Sequence, residues 1–338
     1  MISIESIIQN VLILFLMMIP GVIMKKCKLA PEGFGKGLSN LVLYIAQPAL
    51  IFLAYIRDFN KTILINSLWV LLFAVITHVI FAVITLCLFN SAEDAKRRML
   101  RFATIFSNAA FMGIPLIEAL MGAEALIYAS VYNIVFNLFL WSLGVNICTA
   151  EAKSVDTAGI ELEEVTIQKK NKGSLLKAVL HPVTIAAALG LVFFFTPLSN
   201  YMNDSNYVGG LLTKALEMLK ALVAPLSMTV IGLRLADMEL KGFFKDKFLY
   251  IFLALRHFIL PLLVGFIIRL IMLAPLGISA DLLSIVVILA CAPAASSATM
   301  FAERYDCDSA YVSKLVAVST ILSIVTMPIV VYLTTIGL

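Results

Sequence analysis

Two short segments of this 338-residue chain combine helix-breaking residues with polar side chains that suit a small polar solute. In the first, Asn108 precedes Gly113-Ile114-Pro115 within an otherwise apolar run. Proline removes a helix hydrogen bond, and glycine loosens the same turn. We therefore expect unpaired carbonyls near Phe111 and a new half-helix that begins around Pro115, with free amides at its N-terminus. The Asn108 side chain can both donate and accept hydrogen bonds.

The second segment surrounds Pro293 and carries three hydroxyls, on Ser296, Ser297 and Thr299. These hydroxyls can replace water around a polar solute, and small residues let two backbones approach closely. If the two segments cross, two half-helix N-termini converge, which favours an anionic group such as a carboxylate. The alternative for each segment is packing: a proline-kinked helix in the first and a small-residue seam in the second.

Further polar residues in apolar surroundings are secondary candidates. His181 precedes Pro182 and is a candidate for a proton-sensitive substrate contact, because small shifts carry histidine across neutral pH. The alternative is a neutral histidine that is hydrogen-bonded at a helix start. Glu118 is a candidate as an intramembrane carboxylate, or else a solvated residue at the outer end of its helix. The remaining candidates could line a cavity or bond to neighbouring helices: Gln47 with the adjacent Pro48, Asn133 and Asn137.

The composition indicates that a membrane protein positions these residues. Apolar residues make up 62% of the chain and charged residues 14%, against about 45–50% and about 25% in soluble domains. A soluble fold of this size could not hide so much apolar surface. A soluble enzyme, a nucleic-acid binder and a disordered chain are therefore excluded, and the lipid bilayer is the expected solvent. At roughly 20 residues per crossing, the apolar residues suffice for about ten helices.

The hydropathy pattern predicts an all-helical protein with ten membrane spans, because backbone groups in hydrocarbon must be satisfied within their own segment. Spans one to five are predicted at about 4–24, 36–56, 64–90, 100–121 and 124–148. Spans six to ten are predicted at about 175–197, 211–235, 248–273, 281–303 and 310–336. A polar stretch at 149–174 separates the two sets and is predicted to be a linker.

The basic residues orient these spans. Twenty of the 25 lysines and arginines fall in connections on one side of the predicted membrane, and the positive-inside rule assigns that side to the cytoplasm. The linker is then cytoplasmic and both termini are extracytoplasmic. We expect the first span to be retained, in a multi-pass protein of the plasma (inner) membrane. Since the charges fall at the rims, we expect a crossover of neutral groups in which helix dipoles attract the anion.

The spacing of prolines indicates an internal repeat. Pro48 and Pro225 are 177 residues apart, and Pro115 and Pro293 are 178 apart. With five spans in each half, the second half would be inverted relative to the first. Inverted repeats with interrupted helices at corresponding positions are typical of secondary transporters. The alternative is a chance coincidence among eleven prolines.

Three segments resemble the auxin efflux carrier family, which includes the plant PIN-FORMED carriers and bacterial carboxylate permeases. The segment 108–115 resembles the fourth-span motif of that family, and the residues from 293–305 to Met327-Pro328 resemble its ninth and tenth spans. The segment 180–182 falls where the family often has Asn-Pro at the start of span six. The resemblance implies that the two site asparagines of the family correspond to Asn108 and to His181.

The resemblance also implies an architecture. It implies ten helices in two inverted five-helix repeats, with broken crossover helices four and nine. It implies a homodimer that moves organic anions by an elevator-like motion. The scaffold, which would also form the dimer contact, would comprise 1–62 with spans one and two and 175–245 with spans six and seven. The moving transport domain would comprise 63–148 with spans three to five and 246–338 with spans eight to ten.

The sequence therefore predicts a secondary transporter that holds a small organic anion, a carboxylate or an auxin-like molecule, at the crossover of helices four and nine. The predicted substrate-binding residues are Asn108, Gly113, Ile114, Pro115, His181, Pro293, Ser296, Ser297 and Thr299. Residues that could serve the cavity or coupling are Gln47, Pro48, Glu118, Asn133 and Asn137. A sodium-coupled symporter is the alternative mechanism, because unwound carbonyls can coordinate Na⁺.

Two other classes of function are weighed against transport. A channel would need a continuous pore lining or a charged ring. An intramembrane enzyme would need a motif such as HExxH or Gly-x-Ser-x-Gly, and the sequence contains neither. The five cysteines form no CxxC pair and no cluster with histidine, so we expect no metal and no other cofactor.

Overall fold

A computed structural model describes residues 3–149, 180–202, 207–236 and 243–336. Within these ranges the chain is built from helices, and an isolated antiparallel bridge joins Ser107 to Ala294. The prediction of an all-helical protein is confirmed. The predicted linker, apart from its first residue, and the first residues of predicted span six, 175–179, lie outside the described ranges.

The main helices are numbered in chain order. They are α1 (Ile4–Lys26), α2 (Phe34–Ala54), α3 (Lys61–Leu86), α4 (Asp94–Ile105), α5 (Ala109–Met121), α6 (Ala123–Thr149), α7 (Pro182–Phe195), α8 (Tyr207–Ala236), α9 (Lys247–Met272), α10 (Ala280–Cys291), α11 (Ser297–Arg304) and α12 (Ser309–Thr335). Within the described residues, seven are long and apolar enough to cross a membrane: α1, α2, α3, α6, α8, α9 and α12. The apolar helices α5, α7 and α10 are shorter. The inverted repeat of ten spans stays a prediction.

Polar residues set where several apolar helices begin. The Asn60 side chain accepts hydrogen bonds from the amides of Thr62 and Ile63 at the start of α3. Asp246 caps α9 and Ser279 caps α10 in the same way. These caps satisfy amides that have no partner within the helix, so local sequence fixes the helix start.

Two pairs of short helices take the place of predicted spans four and nine. Phe106–Asn108 separates α4 from α5, and 292–296 separates α10 from α11. The second interruption contains Pro293, as predicted. The first lies upstream of its predicted place. A π-helical turn at Ala109–Gly113 precedes the regular helix around Pro115, so α5 begins directly after Asn108. The wider turn tolerates the proline, so the chain breaks before it.

Three pairwise contacts bring α1, α2, α7 and α8 into one cluster: α1 packs on α8, α8 packs on α2, and α2 packs on α7. Glycines make the first of these contacts close. A Cβ at Gly21 would lie 2.1 Å from the Thr229 carbonyl oxygen, and one at Gly232 would lie 2.0 Å from the Met18 carbonyl oxygen. Such backbone contacts are how helices associate in lipid. These four helices correspond to the predicted scaffold spans.

Candidate functional site

The two interruptions lie against each other and form one crossover. The Asn108 amide donates to the Pro293 carbonyl at 2.7 Å, and the Ala295 amide donates to the Phe106 carbonyl at 2.9 Å. These bonds flank the antiparallel bridge between the two segments. Irregular backbone at membrane depth needs partners of this kind, because hydrocarbon offers none. The pairing therefore explains how two helices can break at the same place.

Asn108 also joins the segments through its side chain. Its Nδ2 donates to the Ser296 hydroxyl at 3.0 Å, and both residues are buried. Helix α5 begins directly after Asn108, and α11 begins directly after Ser296. The first-turn amides of a helix have no acceptor within that helix. The crossover therefore holds two helix N-termini side by side.

A cavity of about 80 Å³ lies next to these N-termini. One water needs about 10–15 Å³ by this kind of measure, so the cavity has room for several waters or a small solute. Apolar walls come from Phe111, Phe136 and Phe301 among others. The predicted site residues that line it are Gln47, Asn108, Asn133, Asn137, His181 and Ser297.

His181 lines the cavity and also caps a helix. Its Nδ1 accepts a hydrogen bond from the Val183 amide at 3.4 Å, and its ring stacks on Tyr44 with centroids 6.4 Å apart. Pro182 occupies the first position of α7, where a missing N–H costs nothing. The structure shows His181 hydrogen-bonded at a helix start and on the cavity wall. The proton-sensitive substrate contact stays a prediction.

Two buried side-chain oxygens in the cavity wall lack a hydrogen-bond partner among the described residues. Gln47 donates through Nε2 to the Ala110 carbonyl at 2.8 Å, which leaves its Oε1 unpaired. The Asn137 side chain donates to the Asn133 carbonyl at 2.9 Å, and Asn133 Oδ1 is also unpaired. An unsatisfied buried acceptor costs roughly 1–3 kcal/mol. Both oxygens therefore favour a water or a ligand group that donates to them.

Several predicted site residues shape the crossover without lining the cavity: Gly113, Ile114, Pro115, Pro293 and Ser296. Gly113 lets α5 approach α10, because a Cβ there would lie 2.8 Å from the Leu289 side chain. Pro115 lies in the first turn of the regular part of α5. These residues lie in the backbone of the crossover, and their part in substrate binding stays a prediction.

Three other candidates do not line the cavity. Glu118 of α5 forms an ion pair with Lys220 of α8, with Oε1 and Nζ 2.8 Å apart. The hydroxyls of Thr299 and Ser313 lie 3.3 Å apart, between α11 and α12. Pro48 follows Gln47 within α2, at the start of the regular helix after a π-helical turn.

The prediction that the crossover contains only neutral groups is wrong. Arg256, which the charge count placed on the cytoplasmic side, is fully buried as the tenth residue of α9. Its guanidinium donates to the Thr104 carbonyl near the end of α4 at 3.1 Å. It also donates to Ala290 and Ala292 at the end of α10, over 2.6–3.2 Å. The apolar residues on both sides of Arg256 could have indicated its burial. An arginine within an apolar span usually faces the interior of the helix bundle and is a functional candidate.

A second arginine reaches the crossover from the scaffold side. Arg234 of α8 donates a hydrogen bond to the Ser296 carbonyl. Glu303 of α11 interacts electrostatically with Arg234. This contact ties α8 to the residue before α11.

His257, next to Arg256, connects the crossover to α12. The Ala294 amide donates to the Ser319 hydroxyl at 2.9 Å, and that hydroxyl lies 2.8 Å from His257 Nε2. On its other side, His257 Nδ1 lies 2.9 Å from the Thr326 hydroxyl. The Thr326 hydroxyl also donates within its own helix, so it accepts from Nδ1–H of the imidazole. His257 therefore stabilises the crossover through Ser319 and does not line the cavity.

Apolar helices, two interrupted helices that cross, and a cavity with polar side chains at the crossing define the class of the protein as a multi-pass membrane transporter. The chain belongs to the Membrane transport protein family, whose model matches residues 6–331. This confirms the resemblance to the auxin efflux carrier family and the prediction of a transporter rather than an enzyme.

Two archaeal proteins are similar to the chain. An uncharacterized transporter of Methanothermobacter thermautotrophicus is 25% identical over 323 residues, which cover 95% of this chain and 96% of the relative. An uncharacterized transporter of Methanocaldococcus jannaschii is 25% identical over 245 residues, which cover 68% of this chain and 70% of the relative. The similarity extends through both interrupted helices in the first case, because it covers nearly the whole chain.

Proposed function

We propose that this protein is a secondary transporter of the plasma membrane that binds a small organic anion at the crossover. The observation that carries the proposal is that α5 and α11 both begin on the wall of one cavity, at Asn108 and Ser297. Helix N-termini bind anions through free amides and the positive end of the dipole. Secondary transporters hold anionic groups in this way at interrupted helices.

The rest of the cavity favours a carboxylate with an apolar body. Phenylalanine side chains supply much of the wall. The unpaired oxygens of Gln47 and Asn133 would accept a hydrogen bond from a donor on the ligand or from a bridging water. An aromatic or auxin-like carboxylate with an N–H group has this combination of features.

The same two oxygens support the second candidate, sodium-coupled symport of the anion. Gln47 Oε1 and Asn133 Oδ1 are neutral carbonyl-type oxygens, and such oxygens coordinate Na⁺ in transporters with interrupted helices. A carboxylate near the N-termini and a cation near these oxygens would neutralise each other. Dependence of binding on Na⁺ separates the two candidates.

Movement of the site would follow the predicted elevator. In this proposal α1, α2, α7 and α8 form a dimeric scaffold, and the remaining helices carry the site across the membrane. In the positive-inside orientation, His181, Trp141 and Met300 lie in the cytoplasmic halves of their spans. All three line the cavity, so the described conformation would face the cytoplasm.

Five polar contacts among the described residues join the proposed scaffold to the proposed moving domain. They are Gln47 with Ala110, Tyr55 with Ser130, Arg57 with Ala123, Lys220 with Glu118, and Arg234 with Ser296. An elevator motion would have to break these contacts, so they would stabilise the cytoplasm-facing state. Mono- and dimeric forms of the scaffold are distinguishable by mass measurement in detergent.

A thermal-shift screen tests the proposal. Purified protein is incubated with monocarboxylates, including benzoate and indole-3-acetate, and with dicarboxylates, each with and without Na⁺ and across pH. Binding to the native state raises the melting temperature. Compounds that stabilise the protein are then tested for uptake into proteoliposomes. Stabilisation by a carboxylate that is also transported supports the proposal, and a protein that no carboxylate stabilises contradicts it.

A further inference from the structure

Arg256 is a fixed positive charge at the crossover without an acidic counter-ion. A guanidinium stays charged in proteins, and this one is fully buried. The ionisable groups that interact with it are Tyr132, Cys291, His78 and His257, and none of them is an acid that is ionised at neutral pH. Among the ion pairs of the described residues, none includes Arg256. A buried charge of this kind is costly unless other groups compensate for it.

The compensation comes from two helix C-termini. All the hydrogen bonds of Arg256 go to carbonyls in the last turns of α4 and α10 or directly after α10. A helix C-terminus carries a partial charge of about −0.5, so two of them carry about −1. One guanidinium offsets this charge. Arg256 and the two C-termini together are therefore close to neutral.

The two helix N-termini at the crossover are then left without an opposing charge. In a crossing of two interrupted helices, two N-termini and two C-termini meet, and their partial charges cancel if nothing else is present. With Arg256 on the C-termini, the N-termini of α5 and α11 retain about +1. Arg234, which donates to the Ser296 carbonyl, adds positive charge on the same side, and Glu303 of α11 opposes part of it. The net charge near the cavity is suited to one negative charge.

We infer that Arg256 is a positioning residue that offsets the two helix C-termini and so gives the cavity a positive potential that selects a monovalent anion. It acts through the helix ends and does not line the cavity. The inference rests on the proposed function only in that the selected anion is the substrate. The competing explanation is that Arg256 merely ties α4 to α10.

A tryptophan in the cavity wall allows the potential to be measured without knowledge of the substrate. Trp141 lines the cavity, and the chain has one other tryptophan, Trp69 in α3. In a Trp69→Phe background, fluorescence reports on Trp141 alone. Quenching constants are measured for iodide, caesium and acrylamide, which are an anion, a cation and a neutral quencher. The ratio of iodide to acrylamide reports the local potential, because acrylamide corrects for accessibility.

The inference predicts a high iodide ratio and a low caesium ratio in the Trp69→Phe protein. Arg256→Met should lower the iodide ratio about sixfold, the Boltzmann factor for one charge at an assumed separation of about 15 Å and an effective dielectric constant of about 20. Arg256→Lys keeps the charge with fewer hydrogen bonds and should retain the high ratio. A residue that only ties helices would not separate the two variants: the iodide ratio would fall equally in Arg256→Lys and Arg256→Met, or would change in neither.

A cross-link checks that the crossover survives the substitutions. Cysteines at Ser107 and Ala294 replace two residues of the antiparallel bridge, whose Cα separation suits a disulfide. The cross-link, detected by mass spectrometry, should form in the Lys and Met variants alike. If the Arg256→Met protein does not fold, the quenching of Trp141 by iodide and caesium in the Trp69→Phe protein tests the inference by itself. Equal access of iodide and caesium there, after correction by acrylamide, overturns the inference.

The inference and the proposed function can fail separately. An Arg256-dependent iodide ratio in a protein that binds no carboxylate would leave the inference standing and refute the proposed function. Carboxylate binding at the crossover, with an iodide ratio that Arg256→Met leaves unchanged, would refute the inference and leave the proposed function standing.

Discussion

Truncation of Asn108 tests whether its side chain binds the anion or only joins the two interrupted segments. In Asn108→Ala the bond from Nδ2 to the Ser296 hydroxyl is lost, but both main-chain bonds across the crossover remain. A neutral buried hydrogen bond contributes about 1 kcal/mol, so the variant should stay folded. A hydrogen bond to a charged group is worth about 1.5–3 kcal/mol. The dissociation constant for a carboxylate should therefore rise about 10- to 150-fold.

Ser296→Ala supplies the matched comparison. It removes the same bond from the other side but leaves the Asn108 amide free to contact the anion. If Asn108 contacts the anion, this variant should weaken binding by less than about fivefold. Asn66→Ala, an asparagine in α3 away from the cavity, controls for loss of an amide in an apolar helix. Isothermal titration with the carboxylate that most stabilises the protein gives the constants. Equal losses in Asn108→Ala and Ser296→Ala, or wild-type binding in Asn108→Ala, would refute the reasoning.

Three further predictions follow from other contacts. His181→Asn should remove any step near neutral pH from the pH profile of uptake, and an identical profile excludes the histidine from the mechanism. Gly113→Ala should destabilise the protein by about 1–3 kcal/mol, because the new Cβ meets Leu289 at 2.8 Å, and denaturant unfolding measures this loss. Glu118→Gln and Lys220→Met should each increase labelling of the cavity from the extracytoplasmic side, and the double variant should add little more, because they break one ion pair.

Sequence patterns located the crossover but not its electrostatics. Pro293 with its neighbouring hydroxyls marked the second interruption, because proline and small residues act locally on a helix. Gly113 and Pro115 indicated the first interruption for the same reason. The interruption predicted from Pro115 lies several residues too far along the chain. A π-helical turn at Ala109–Gly113 accommodates the proline, so the helix breaks before that turn. Whether a helix contains such a turn depends on the residues packed against it. Here Gln47 donates a hydrogen bond to the Ala110 carbonyl within the turn.

Arg256 shows a different limit of sequence reasoning. The positive-inside rule counts every basic residue as a rim charge, and this count is correct on average. Arg256 is an exception because two helix C-termini, about 150 and 35 residues away in the chain, supply its acceptors. No local pattern brings such distant carbonyls together. The apolar stretch on either side of the arginine gave the only available indication.

A structure with an anomalously scattering anion tests the central claim most directly. Crystals of the protein with 4-bromobenzoate, collected at the bromine edge, locate the ligand without reference to the proposed site. The account predicts one bromine peak in the crossover cavity, with the carboxylate directed at the first-turn amides of α5 and α11 beside Asn108 and Ser297. A saturating ligand whose bromine lies elsewhere, or whose carboxylate points away from both helix N-termini, would contradict it.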